Sequence, residues 1–107
     1  MTTIAMPPPN APVAPALDET TYIVLEDFGS LGLAYRETDP EHADLESVLA
    51  GFIAGEFDRP IRVIAVNTAG GWVRDASRDI ATQVRARSQR KGSRLSAGVR
   101  DFIEQGE

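Results

Sequence analysis

The chain has 107 residues, 42% hydrophobic and 25% charged, with a formal net charge of −5, no cysteine and one histidine, His42. That composition suits one domain with a packed core. It excludes a disulfide framework, a thiol nucleophile, cysteine-ligated metal and a multi-histidine site within one chain, and no apolar run approaches the length of a membrane span.

Five of the seven prolines (Pro7, Pro8, Pro9, Pro12 and Pro15) fall in the first 15 residues. They remove backbone donors and favour extended polyproline II, and no amphipathic period runs through them, so residues 1–20 read as a disordered Pro-rich tail. The PxxP spacing in this run arises in any proline-rich stretch, so the segment is taken as a leader rather than a groove-binding motif. No basic residue precedes Arg36 and Pro7-Pro8-Pro9 interrupts any apolar core, so the N-terminus is not a secretory signal. The expected compartment is therefore cytoplasmic.

Residues 21–105 read as a single small domain. Tyr22-Ile23-Val24-Leu25 is β-branched and apolar on both faces, as a central strand requires. Gly29 and Gly32 then punctuate a loop of four or five residues before the half-apolar run from Leu33, which predicts a β-hairpin. Phe28-Gly29-Ser30-Leu31-Gly32 lacks the lysine and spacing of a phosphate loop. Thr38-Asp39-Pro40-Glu41 fits a capping box. Leu45, Val48, Leu49, Phe52 and Ile53 follow as one helical stripe, and Gly55 supplies the stop. His42 sits in the first turn of that expected helix, off the stripe, and reads as exposed and inert.

Asp58-Arg59-Pro60 marks a turn into Ile61 to Val66, continuously apolar after Arg62, hence a strand covered on both faces. Asn67 to Trp72 connects it to a helix expected from about Val73 to Arg87, with Val73, Ala76, Ile80 and Val84 along one side. Gly92-Ser93 ends that segment. Ser96 caps a short last helix carrying Val99, Phe102 and Ile103 on one face. The expected fold is α/β (α+β-like). It has three strands with the first or third central, helices mainly on one face, and the order hairpin, helix, strand, helix, short helix.

Tyr22 to Gly29 (YIVLEDFG), Tyr35 to Asp39 (YRETD), Asn67-Thr68-Ala69 with Gly71-Trp72, and Arg74-Asp75 through Asp79-Ile80-Ala81 carry a resemblance. Over roughly residues 21–85 the chain resembles a family of short, uncharacterised alphaproteobacterial proteins. The resemblance implies a standalone bacterial domain and carries over no activity, cofactor or catalytic residue.

Two segments merit a functional hypothesis. In the first, Asn67 to Arg78, a strand end, a Gly-Gly loop and a helix start would gather free backbone N–H groups. Asn67, Thr68, Gly70, Gly71, Arg74 and Arg78 are the candidate anion- or nucleotide-binding residues of that strand-loop-helix. The plainer reading makes this stretch a connection in which Thr68 or Gly70 caps a helix and Trp72 closes the core; it is the one favoured. The second is the basic run 85–94, with Arg85, Arg87, Arg90, Lys91 and Arg94 as candidate partner-binding residues. Such a run grips phosphates, yet an isoelectric point near 4.8 opposes attraction to nucleic acid.

Charge is divided along the chain. Residues 1–58 hold eleven acids and one base, Arg36, and residues 59–107 hold ten bases and five acids. The simplest account is that the halves neutralise each other within one fold. The basic run would otherwise meet an acidic protein surface, such as the acidic half of another copy. No nucleophile stands beside a base, so no catalytic residue, metal or cofactor is assigned. The expected function is a non-catalytic interaction or regulatory module with a protein partner or a second copy. A three-stranded sheet with one open face leaves Tyr35 and other edge-strand apolar groups to cover.

Overall fold

The computed structural model describes residues 20–36 and 42–106. The expected leader and the capping box Thr38-Asp39-Pro40-Glu41 lie outside the described residues, apart from Thr20. Strand β1 (Thr21–Asp27) and strand β2 (Leu33–Tyr35) form the first hairpin; helix α1 (Leu45–Ala54) follows. Strands β3 (Pro60–Asn67) and β4 (Trp72–Asp75) form a second hairpin, and helices α2 (Ser77–Lys91) and α3 (Ala97–Gly106) complete the order. The sheet order is β2-β1-β3-β4 and every neighbouring pair is antiparallel. The fold is thus α+β, with four strands rather than the expected three, and both β1 and β3 are central.

The first hairpin forms as its glycines dictate. Asp27 accepts the Gly29 N–H at 2.8 Å, a single 3-10 turn spans Gly29–Leu31, and Gly29 and Gly32 take φ of 68° and 95°. These angles favour residues without a Cβ. Helix α1 starts later than expected. Asp44 is its N-cap, accepting the Ser47 N–H at 3.2 Å and the Ser47 hydroxyl at 2.7 Å. Those two bonds hold the Asp44 carboxyl below its usual value. His42 therefore precedes the helix instead of lying in its first turn, and it is exposed. Gly55 ends α1 in the left-handed region, at φ 80°.

The stretch after β3 corrects the expected helix from Val73. Gly71 has φ 71°, its N–H donates to the Asn67 carbonyl at 2.8 Å, and the chain reverses into β4. The 3.6-residue period from Val73 through Val84 belongs to the helix only from Ala76, its N-cap, onward. Val73 itself is 65% exposed on the edge strand. Helix α2 also runs on past Arg87 to Lys91, so the front of the basic run is helical.

All three helices contribute to one core, which lies against one side of the sheet. The buried positions of β1 and β3 alternate, with Val24, Val63 and Ala65 joining Leu49, Phe52, Ile80, Val84, Val99 and Phe102. Phe52 sits at its centre, with ring centroids 5.0 Å from both Phe57 and Phe102. On the same side Glu26 is 1% exposed. Its carboxylate accepts from Arg36 Nη1 at 2.5 Å and from the Asp58 N–H at 2.8 Å, and Arg36 also lies 5.4 Å from the Phe57 ring centroid. A buried carboxylate is retained where its oxygens are satisfied in this way. Here it ties the edge of the sheet to the turn before β3. Ser96 caps α3 as expected, accepting the Val99 N–H at 3.3 Å.

Candidate interaction surface

Antiparallel register places directly opposed residues on the same side of a sheet. Since Val24, Val63 and Ala65 point into the core, the residues between them point the other way. Three rows of that second face follow from the pairing. Tyr35 opposes Leu25, which opposes Arg62; Ile23 opposes Ile64, which opposes Asp75; and Thr21 opposes Val66, which opposes Val73. Leu33 extends the first hairpin on the same side, opposite Asp27.

An apolar band results: Leu33 and Tyr35 on one edge, Leu25, Ile23, Ile64 and Val66 across the middle, Val73 on the other edge. The edges are the most open, with Leu33 59%, Tyr35 55% and Val73 65% exposed, while the four central residues are half-buried by their neighbours. Leu31, 88% exposed, and Phe28 are exposed apolar residues in the turn of the first hairpin. None of the core residues comes from this side. An apolar stretch of this kind on a protein surface marks a contact site or an association liability.

The charges bordering the band are already partnered. Arg62 Nη1 donates to Asp75 Oδ2 at 2.9 Å. Burial raises the Asp75 carboxyl, but hydrogen bonds from Ser77 and the pairing with Arg62 outweigh that and hold it below its usual value. Asp27 is engaged by the Gly29 N–H.

The anticipated anion loop is built differently. Asn67 is buried and organises the turn. Its Oδ1 accepts the Gly70 N–H at 2.6 Å, its carbonyl accepts the Gly71 N–H, and its Nδ2 donates to Thr20 Oγ1 at 3.1 Å. Both glycine donors needed for an anion are thereby spent within a β-hairpin, and no helix begins there. The strand-loop-helix expected of Asn67 to Arg78 is replaced by strand-turn-strand-helix. Thr68 and Gly70 cap no helix, and Trp72, 39% exposed, does not close the core. Arg74 pairs with Asp79 at 3.2 Å and stands 5.8 Å from the Trp72 ring centroid, while Arg78 is exposed in the first turn of α2.

The basic run is also spread rather than gathered. Arg87 makes a two-pronged contact with Glu46 of α1, both bonds at 2.9 Å. That pairing lowers the Glu46 carboxyl and raises the Arg87 guanidinium, the hydrogen bonds being the largest cause in each case. This contact joins the acidic first half to the basic second half within one chain. Arg85 lines a cleft of about 220 Å³ between α2 and α3 together with Gln89, Leu95, Arg100 and Glu104. Arg90, Lys91 and Arg94 are exposed at the end of α2 and just beyond it.

Among the described residues, no group of three or more His, Asp or Glu is placed to hold a metal ion, and no helix is long and apolar enough to cross a membrane. The sequence reading missed Trp72 and Val73 as strand residues. The signal that finds them is Gly70-Gly71 between two β-prone runs, a hairpin pattern. Comparison with family models, with curated proteins and with solved structures gives no match, so geometry alone bears on function.

Proposed function

We propose that the protein is a non-catalytic interaction module that docks a protein surface through the open face of its sheet. The observation that carries this reading is the apolar band from Leu33 and Tyr35 to Val73, opposite the face on which the core is built. Two alternatives lose support from the same geometry. Small-anion binding at residues 67–78 needs the Gly70 and Gly71 N–H groups, which are spent in the turn. Nucleic-acid binding at residues 85–94 needs a gathered basic surface, and Arg87 is committed to Glu46.

Photocrosslinking tests the reading. A benzophenone side chain placed at Tyr35 or at Val73 in the cells that make the protein is expected to give covalent protein adducts. The same group at Thr82, exposed on α2, is expected to give none. Absence of adducts from both sheet positions overturns the proposal.

A further inference from the structure

We infer that the occupant of the open face is a second copy of this chain, the two sheets packing face to face as an isologous dimer. The inference rests on the interaction reading above and names its partner.

The shape of the surface narrows the choice first. Grooves and clefts suit peptides and small molecules; among the described residues, one cleft lies between α2 and α3 and another beside Arg59 and Asp101, and neither is lined by the apolar residues of the band. The open face is a sheet whose side chains stand out in rows, and another such sheet complements it, as in sandwich packing. Charge narrows the choice again. Arg62 and Asp75 neutralise each other on the face itself, so the occupant needs no matching charge. A second copy brings the same internally paired set. The whole chain carries a formal net charge of −5, so copies repel one another on approach, and salt screens that repulsion.

Area fits a weak, concentration-dependent association. The four strands are 7, 3, 8 and 4 residues long; at about 3.3 Å per residue and about 4.8 Å between strands they present on the order of 350 Å² in projection. Side-chain relief adds to that. Two copies then bury on the order of 700–1,000 Å² in total, below the standard interface size and in the range of weak, transient contacts. A two-fold axis also makes the arrangement close on itself, so the association stops at the dimer.

Analytical ultracentrifugation of the full chain, from roughly 5 to 500 µM, tests the inference. The expected result is a monomer–dimer equilibrium that persists in about 1 M salt, because apolar burial is not screened. Tyr35→Asp and Val73→Asp, on opposite edges of the face, are each expected to weaken association by about 100-fold or more, since each change enters the interface twice. Both residues are more than half exposed, so circular dichroism and the melting temperature are expected to hold. If one variant fails to fold, the other still decides. Arg90→Glu is expected to leave the equilibrium unchanged.

Three results overturn the inference. One is a monomer at every concentration. Another is association lost in high salt or with Arg90→Glu, which moves the contact to the basic run. The third is a full-length monomer that dimerises once residues 1–19 are removed, which makes the chain's own leader the occupant. A monomer that still gives adducts with a different protein from the Tyr35 benzophenone refutes the dimer alone and leaves the interaction reading standing. No adducts of any kind refute both.

Discussion

The two sides of the sheet are made by the same strands from alternate residues, and they have opposite fates. On one side Val24, Val63 and Ala65 meet Leu49, Phe52, Ile80 and Val99 and are almost wholly excluded from water. On the other, Leu25, Ile23, Ile64 and Val66 are only half-buried by one another, and Leu33, Tyr35 and Val73 stand more than half exposed. A strand does not make one of its faces apolar without cost: a soluble monomer ordinarily sets polar residues on the uncovered side of an antiparallel sheet. The composition of the open side is therefore informative in a way that the composition of the core is not. The core explains why the chain folds, and the open band is what the interaction reading rests on.

The largest expected effect sharpens this contrast. Phe52→Ala removes a ring that touches both Phe57 and Phe102 at the centre of the core, and it is expected to destabilise the fold by about 3–5 kcal/mol. Tyr35→Ala, on the open side, is expected to change stability by less than about 0.5 kcal/mol when measured in dilute solution. Urea unfolding of both variants at low protein concentration makes the comparison. A Tyr35 variant as damaged as the Phe52 variant would mean that the open face is covered within the monomer, and the contrast between the faces would fail.

A second prediction concerns how closely the helical layer is drawn to the sheet. Gly98, in the first turn of α3, lies against the turn that leads into β3. A Cβ added there would stand 1.9 Å from the Asp58 carbonyl oxygen and 3.0 Å from its carbon. Backbone cannot move aside as a side-chain tip can, so Gly98→Ala is expected to cost about 1–3 kcal/mol by overpacking. Gly92→Ala is the comparison, since nothing lies within 4 Å of a Cβ there and only its φ of 67° is strained. Thermal unfolding ranks the pair. Equal losses would show that α3 is held less tightly than the contact implies.

How much of this was legible in the sequence follows from the range over which each signal acts. The α1 stripe, the apolar runs of β1 and β3, the Ser96 cap and the α3 face are local patterns, and each element forms where its pattern lies. The strand β4 was hidden because Val73 falls in phase with Ala76, Ile80 and Val84. A period of 3.6 therefore extended across a boundary that Gly71 and Asn67 actually set. The α1 start was displaced for a related reason. Two acceptable caps stand six residues apart, at Thr38 and Asp44, and the bond between Asp44 and Ser47 marks the later one. The open face needed more than local signal. That one side of the sheet is left apolar depends on which of two similar faces the helices cover. That choice is settled by contacts between residues far apart in sequence, such as those that bring β3 against α2 and α3 in the core that holds Val63, Ile80 and Val99. Tyr35 was recognisable as an edge residue to be covered, whereas Val73 was placed on a helix, so only half of the band was visible.

The smallest expected effect concerns the charge that joins the halves of the chain. Glu46 on α1 and Arg87 on α2 form a two-pronged contact on the outer surface. The arginine holds the Glu46 carboxyl below its usual value of 4.5. A carboxyl whose value is lower in the folded than in the unfolded chain stabilises the fold above its unfolded value. That stabilisation is lost as the pH falls through the folded one. Glu46→Gln removes the increment at neutral pH, so the melting temperatures of the two proteins are expected to differ slightly at pH 7. They should converge once the pH lies well below 4.5. Asp44, whose carboxyl is lowered by Ser47, titrates in the same acid range but is present in both proteins, so the difference between them isolates Glu46. Because the pair is exposed, salt screens it, and roughly 1 M salt at pH 7 should shrink the difference as acid does. A difference that persists in both acid and salt would assign the effect of Glu46 to the packing of its methylene groups, and the contact with Arg87 would then fix geometry without contributing charge.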